Sequence, residues 1–186
     1  MGTRGAYGVR IDGVDKVIYN QYDSYPGGLG EDIYGFLRKI QEYYGWRTLI
    51  SAARNIKEAE KITKQTDYSW FDACGGLGPL ARVLQAGCYR DSSTFLLDSL
   101  FCEWAYLVNL DEGTFEVYEG FQKSPHDKGR YARLPVKDLT SGTYYPVALI
   151  KTLLLDTLPD KGLKELLDES PIEEIVRETR GAYGGV

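Results

Sequence analysis

Histidine is nearly absent from this chain: 186 residues contain one, His126. The three cysteines, Cys74, Cys88 and Cys102, stand far apart, and no Cys-x-x-Cys pair occurs. A structural zinc site is therefore disfavoured. Cys88 and Cys102 follow or lie in apolar segments and read as small buried hydrophobes. Cys74, in Asp-Ala-Cys-Gly-Gly, reads as an exposed thiol. A nucleophilic cysteine usually wants a histidine partner, and His126, in a polar loop, is the single candidate. The sequence thus predicts no catalytic residue of that kind, no metal and no cofactor.

Positive charge is also short. Lysine and arginine number 22 against 27 acidic residues, a net charge of −5. Nucleic acid is disfavoured as a main partner, because phosphate binding needs clustered cations. A small anionic ligand is not excluded, since a local pair of arginines suffices for it. No apolar run is long enough to span a bilayer. Gly2, Thr3, Arg4 and Gly5 precede no apolar segment of a secretory signal, so a cytoplasmic location is expected. The opening Met-Gly suggests myristoylation, but Tyr7 sits outside the usual pattern and no polybasic run appears.

Tyrosine, by contrast, is abundant, with 15 residues. Three of them crowd into Tyr-Asn-Gln-Tyr-Asp-Ser-Tyr-Pro-Gly-Gly-Leu-Gly, residues 19–30. Pro26 fixes φ, and Gly27, Gly28 and Gly30 allow unusual backbone angles. Such a loop can present polar groups in one fixed shape. Turn chemistry alone also accounts for its proline and glycines.

The rest of the chain reads as an α+β protein, a single domain over residues 1–186 with a possible extended tail at 179–186. Arg4–Ile11 alternates at strand period, Asp12-Gly13 is a turn signal, and Lys16–Tyr22 resumes the alternation, which predicts a β-hairpin. Glu31 and Asp32 favour a helix start, Ile33, Phe36, Leu37 and Ile40 recur at helical spacing, and Gly45 suits its end. Residues 46–68 look helical and basic. Gly75–Gly78 and Pro79 break the chain before a helix at 80–86; no Lys-Ser/Thr follows, so a Walker loop is ruled out. Glu103–Leu110 and Thr114–Glu119 form the clearest hairpin, with Phe115 and Val117 on one face and Glu116 and Tyr118 on the other. A polar loop holds Lys123, His126, Lys128, Arg130 and Arg133. Residues 145–155 form the last strand, with Pro146 at its entry. Helices at 160–167 and 172–180 close the chain. The expected sheet is mostly antiparallel, made of two hairpins and a later strand packed with helices. Ile33, Phe36, Leu37, Ile40, Leu107, Phe115, Val117 and Leu149 are the expected core.

Thr3-Arg4-Gly5-Ala6-Tyr7-Gly8 recurs identically at 179–184. No repeat of domain size accompanies it. The second copy could be a second functional copy, pair beside the first strand, or reflect the history of the gene. Arginine and glycine suit an anion contact; the glycines could equally make a tight strand of small residues.

Thr3-Arg4-Gly5, Tyr19-Asn20, Asp23-Ser24-Tyr25-Pro26 and Leu29-Gly30 together resemble a family of small, uncharacterised proteins of bacteria and their phages. Its members open Met-x-Thr-Arg-Gly and carry Tyr-Asn-x-x-Asp-Ser-Tyr-Pro. The resemblance covers the first thirty residues well and the rest loosely. It implies a source and a site, and no activity.

Three function classes remain. One is a protein that binds a small, anionic, nucleotide-like ligand without chemistry, phage-encoded and acting against host defence by sequestering an immune signalling nucleotide. A second is a hydrolase resembling N-terminal-nucleophile amidohydrolases, with Thr3 as nucleophile after further cleavage and Arg4, Asn20 and Asp23 nearby. A third is a protein-interaction module. Homo-oligomers are left open. For the first class, hairpin geometry places Thr3, Arg4 and Tyr7 near Asn20, Tyr22, Asp23, Ser24 and Tyr25 in one ligand-binding pocket. Arg4 would hold the anion and Tyr22 or Tyr25 would stack a ring. Asn20 and Asp23 would read its polar edge, and Arg130 would close over the anion.

Overall fold

The computed structural model describes residues 2–59, 78–135 and 144–169. Cys74, the expected helix at 172–180 and the second hexapeptide at 179–184 lie outside the described residues. So do residues 60–68 of the basic segment.

Both expected hairpins form. β1 (Gly5–Ile11) pairs antiparallel with β2 (Val14–Asn20). Asp12 and Gly13 turn between them at φ 51° and 78°. Positive φ at both positions matches the twist of a two-residue hairpin, which is why Asp-Gly works there. Short pairs β3 (Lys57–Glu58) and β4 (Cys88–Tyr89) make a separate parallel ladder. β5 (Trp104–Asn109) and β6 (Thr114–Glu119) form the second hairpin, and β7 (Ala148–Leu154) adds to β6. The strand order is β2-β1-β5-β6-β7. Every strand of this sheet has an antiparallel neighbour, but β1 and β5 pair in parallel, so the sheet is mixed and the fold is α+β. β1 consequently has a partner along both edges.

Strand alternation then sorts side chains to two faces. Tyr7, Val9, Ile11, Tyr106, Val108, Phe115 and Val117 join the core under the helices. Ala6, Val17, Ala105, Leu107 and Tyr118 join a second cluster with Leu96, Cys102, Tyr131 and Val147, contributed by the loops. Both faces of the central strands are therefore covered. The expected core residues are buried, except that Leu149 is half-buried at the margin of the second cluster.

The helical layer holds α1 (Glu31–Lys39), α2 (Trp46–Asn55), α3 (Gly78–Ala86) and α4 (Leu163–Asp168). The helix expected over 31–44 forms: α1 continues through Ile40–Tyr44 as a wider π-helical turn, whose last bond runs from the Gly45 N–H to Ile40 O, and Gly45, at φ 74°, stops it. α2 ends where the Lys16 ammonium donates to the carbonyls of Ala53 (2.7 Å) and Ile56 (2.8 Å). A cation there meets the negative end of the helix dipole. The Leu163 N–H at the start of α4 donates to Glu31 Oε2 (2.7 Å), locking α4 to α1. Among the described residues no helix is long and apolar enough to cross a membrane.

One glycine in α1 carries a direct test. A β-carbon on Gly35 would meet nothing within 4 Å. Glycine costs a helix interior about 0.5–1 kcal/mol relative to alanine. Gly35→Ala should therefore raise stability by about that amount, read as a higher midpoint in urea unfolding; an unchanged or lower midpoint would refute it.

Candidate functional site

After β2 the chain folds into a compact loop. The Ser24 N–H donates to Thr3 O (3.1 Å), and the Leu29 N–H reaches back to Asp23 O (2.8 Å). Asp23 adopts φ 53°, an angle that aspartate and asparagine tolerate better than most residues. Tyr106, from the centre of the sheet, donates its hydroxyl to Ser24 O (2.9 Å). Gly28 is required by close approach: a β-carbon there would stand 2.3 Å from Asp23 O. Asn20 shapes the loop from within. Its amide nitrogen donates to Ser24 Oγ (2.8 Å) and to the Tyr22 carbonyl.

This loop, the first turn of α1 and the start of α3 border an open cleft of about 330 Å³. Asn20, Tyr22, Asp23 and Tyr25 line it from the loop, and Gly28 and Leu29 from the following turn. Asp32 contributes from α1 and Pro79 from α3. Tyr22 and Tyr25 are 65% and 46% exposed, unusually open for rings of that size. Two of the lining side chains are carboxylates, and among the described residues none is a cation. Among the described residues the Asp23 and Asp32 carboxylates have no hydrogen-bond or ion-pair partner. Asn20, with its amide nitrogen spent, has its carbonyl oxygen left to offer. The cleft thus presents acceptors and two phenols.

Four of the nine residues expected at one site meet here: Asn20, Tyr22, Asp23 and Tyr25. Ser24 supports them from behind, fully buried, as an acceptor for Asn20. The others go elsewhere. Arg4, just before β1, and Tyr7, within it, are three residues apart, and alternation along extended chain sends them to opposite faces. The Arg4 guanidinium lies over the Phe101 ring, 4.6 Å from its centroid. Among the described residues no ion pair joins it to Asp23. Tyr7 is in the core, where burial pushes its phenol up to about 12 while Arg82 pulls the other way. Thr3 ties to the loop through its carbonyl, and among the described residues no side chain hydrogen-bonds its hydroxyl. Asp32 was missed: the sequence assigns it only a place at a helix start.

Arg130 does not close over the cleft. It sits on the other face of the sheet, at the centre of a part-buried ionic network in which Glu116 is the enclosed charge. Its guanidinium donates to Asp15 Oδ1 (3.0 Å), Tyr118 Oη (3.1 Å), Tyr131 Oη (3.0 Å) and Glu116. Glu116, only 5% exposed, also accepts from Asn109 Nδ2 (2.9 Å) and the Tyr118 hydroxyl (2.8 Å). Burial, then the Glu116 charge, push the Tyr118 phenol upward, so it stays protonated and donates. Arg10 pairs with Asp15 from the other side (3.2 Å). Every charge in this network has an opposite partner, which fits a clamp between loop and sheet better than a site waiting for a ligand. His126 is similarly committed, its Nε2 lying 2.8 Å from Pro146 O.

A larger depression of about 460 Å³ lies along α2, lined by Arg47, Ile50, Ser51, Arg54 and Asn55. All five come from one helix, so it has one wall, and Arg54 already grips Asp12 through two bonds of 2.9 and 3.0 Å. It is the weaker candidate.

No protein family, curated protein or solved structure matches this chain.

Proposed function

We propose that this protein binds a small molecule in the Tyr22–Asp32 cleft and does no chemistry on it. The observation that carries the reading is the cleft itself, which unites four polar or aromatic side chains from the end of β2 and the hydrogen-bonded loop after it with Asp32. Its volume lies at the lower end of the range for small-molecule pockets, about 300–1,000 Å³, and suits a ring-bearing molecule of nucleoside size. Tyr22 and Tyr25 offer faces for stacking at low entropic cost. Asn20, Asp23 and Asp32 offer acceptors to the amino groups of such a ring. Sequestration of a host signalling nucleotide is the narrowest form of this reading. It would require the base to enter the cleft and the phosphates to stay outside it, away from the two carboxylates.

Adenosine should raise the melting temperature of the wild type in a thermal shift assay. The Tyr22→Ala/Tyr25→Ala double variant should lose that response, because stacking contributes about 1–3 kcal/mol per base. Both tyrosines are exposed, so the variant's own melting temperature should stay near that of the wild type. Binding that survives the double substitution would place the site elsewhere. A wild type that responds to neither adenosine nor small aromatic amines such as tyramine would remove the reading.

A further inference from the structure

We infer that the ligand is an organic ammonium ion, and that this cleft turns anions away; the inference rests on the binding reading above and reverses the charge expected from sequence. Three observations converge on it. First, the two acidic side chains that line the cleft, Asp23 and Asp32, are both carboxylates, and among the described residues neither has an ion-pair partner. Second, Asn20 has spent its donor nitrogen inside the loop, on Tyr22 O and Ser24 Oγ. What remains on Asn20 for a ligand is acceptor oxygen, so apart from the two phenol hydroxyls the polar side chains of the cleft accept, which favours a ligand that brings donors. Third, the arginines that would have held an anion are committed elsewhere. Arg4 covers Phe101, and Arg130 is enclosed by Asp15 and Glu116 on the opposite face of the sheet.

The remaining walls suit a cation as well. The faces of Tyr22 and Tyr25 carry the negative lobes of their ring quadrupoles, which attract ammonium groups. Two carboxylates beside two open phenol rings give an ammonium both a Coulomb partner and an aromatic wall. A phosphate in the same place would meet two like charges, with the two phenol hydroxyls as the side-chain donors left to it.

A matched set of probes isolates charge from shape: tyramine, tyrosol and 4-hydroxyphenylacetate share one ring and differ in the charge of the tail. Methylammonium, small enough for any part of the cleft, controls for size. Binding would be followed by chemical-shift perturbation and calorimetry on the full chain. Tyramine should bind about tenfold or more tightly than tyrosol, and 4-hydroxyphenylacetate most weakly. The preference should shrink as salt rises, because both carboxylates are exposed. Asp23→Asn and Asp32→Asn should each reduce it, and together abolish it. Asparagine accepts the positive φ of position 23, so that variant keeps the loop. If tyrosol or adenosine binds through Tyr22 and Tyr25 as tightly as tyramine, the charge inference is overturned and the binding reading stands. If tyramine and methylammonium both leave the cleft resonances unmoved, the inference is overturned as well. Adenosine then decides the binding reading alone.

Discussion

Arg130→Met should lower the unfolding free energy by about 3–5 kcal/mol, the range for breaking a buried ion pair by removing one partner. The guanidinium is 25% exposed, and its partner Glu116 is almost fully enclosed. Removing the cation leaves the Glu116 carboxylate held by Asn109 and Tyr118 alone, with no countercharge. Asp15 suffers less, because Arg10 still pairs with it. The cost should therefore concentrate on Glu116, and this can be tested separately. Glu116→Gln in the Arg130→Met background should recover part of the loss, since a neutral amide has no charge left to compensate. The two substitutions should be strongly non-additive in a double-mutant cycle by urea unfolding. A loss below about 1 kcal/mol for Arg130→Met would mean that the network behaves as an exposed pair. The ligand response of the cleft should persist in this variant, because Arg130 lies on the other face of the sheet.

That network shows where the sequence stops being legible. Alternation through Thr114–Glu119 placed Glu116 and Tyr118 together on the face opposite Phe115 and Val117, and the structure agrees. A glutamate in an alternating strand ordinarily marks a solvent face. Here the loops of residues 89–103 and 121–135 cover that face, and Arg130, 14 residues further along, folds back to supply the countercharge. Nothing local to Glu116 announces it. The same holds for the parallel pairing of β1 with β5. Each hairpin is specified by its own alternation and turn, but alternation assigns faces, not neighbours.

The site was legible to the extent that it is local. Tyr19–Gly30 is one continuous stretch, the end of β2 and the loop after it, and its polar residues converge because proline, glycine and a positive-φ aspartate fold it on itself. Asp32 and Pro79 join through the helical layer, which sequence spacing does not place. Arg4 and Tyr7 are a different kind of error. Strand period alone separates residues three apart, so their assignment to one pocket contradicted the pattern that identified the strand. Correcting it removes Arg4 from the cleft and with it the main reason to expect an anion.

Gly8→Ala should be the other severe substitution, costing about 3 kcal/mol or more, at or beyond the usual upper end for overpacking a tight interior. A β-carbon at Gly8 would stand 2.0 Å from Lys16 O and 3.1 Å from Val17 Cα. These are backbone atoms of the paired strand, so no rotamer change relieves the clash. β2 would have to move off β1, and with it Val17 in the second core and the Lys16 ammonium that ends α2. Gly5 is equally confined, its β-carbon falling 2.4 Å from Trp104 O on the other flank. The small residues of Thr3-Arg4-Gly5-Ala6-Tyr7-Gly8 are thus set by packing between β2 and β5, which favours the tight-strand explanation of its glycines over an anion contact. Both edges of β1 are occupied, by β2 and by β5. Urea unfolding of Gly8→Ala, with Gly35→Ala as the glycine that has room, separates steric cost from the general effect of replacing glycine. Gly35→Ala should gain stability while Gly8→Ala loses it. Equal small shifts in both would mean that the β1–β2 ladder is looser than its register implies.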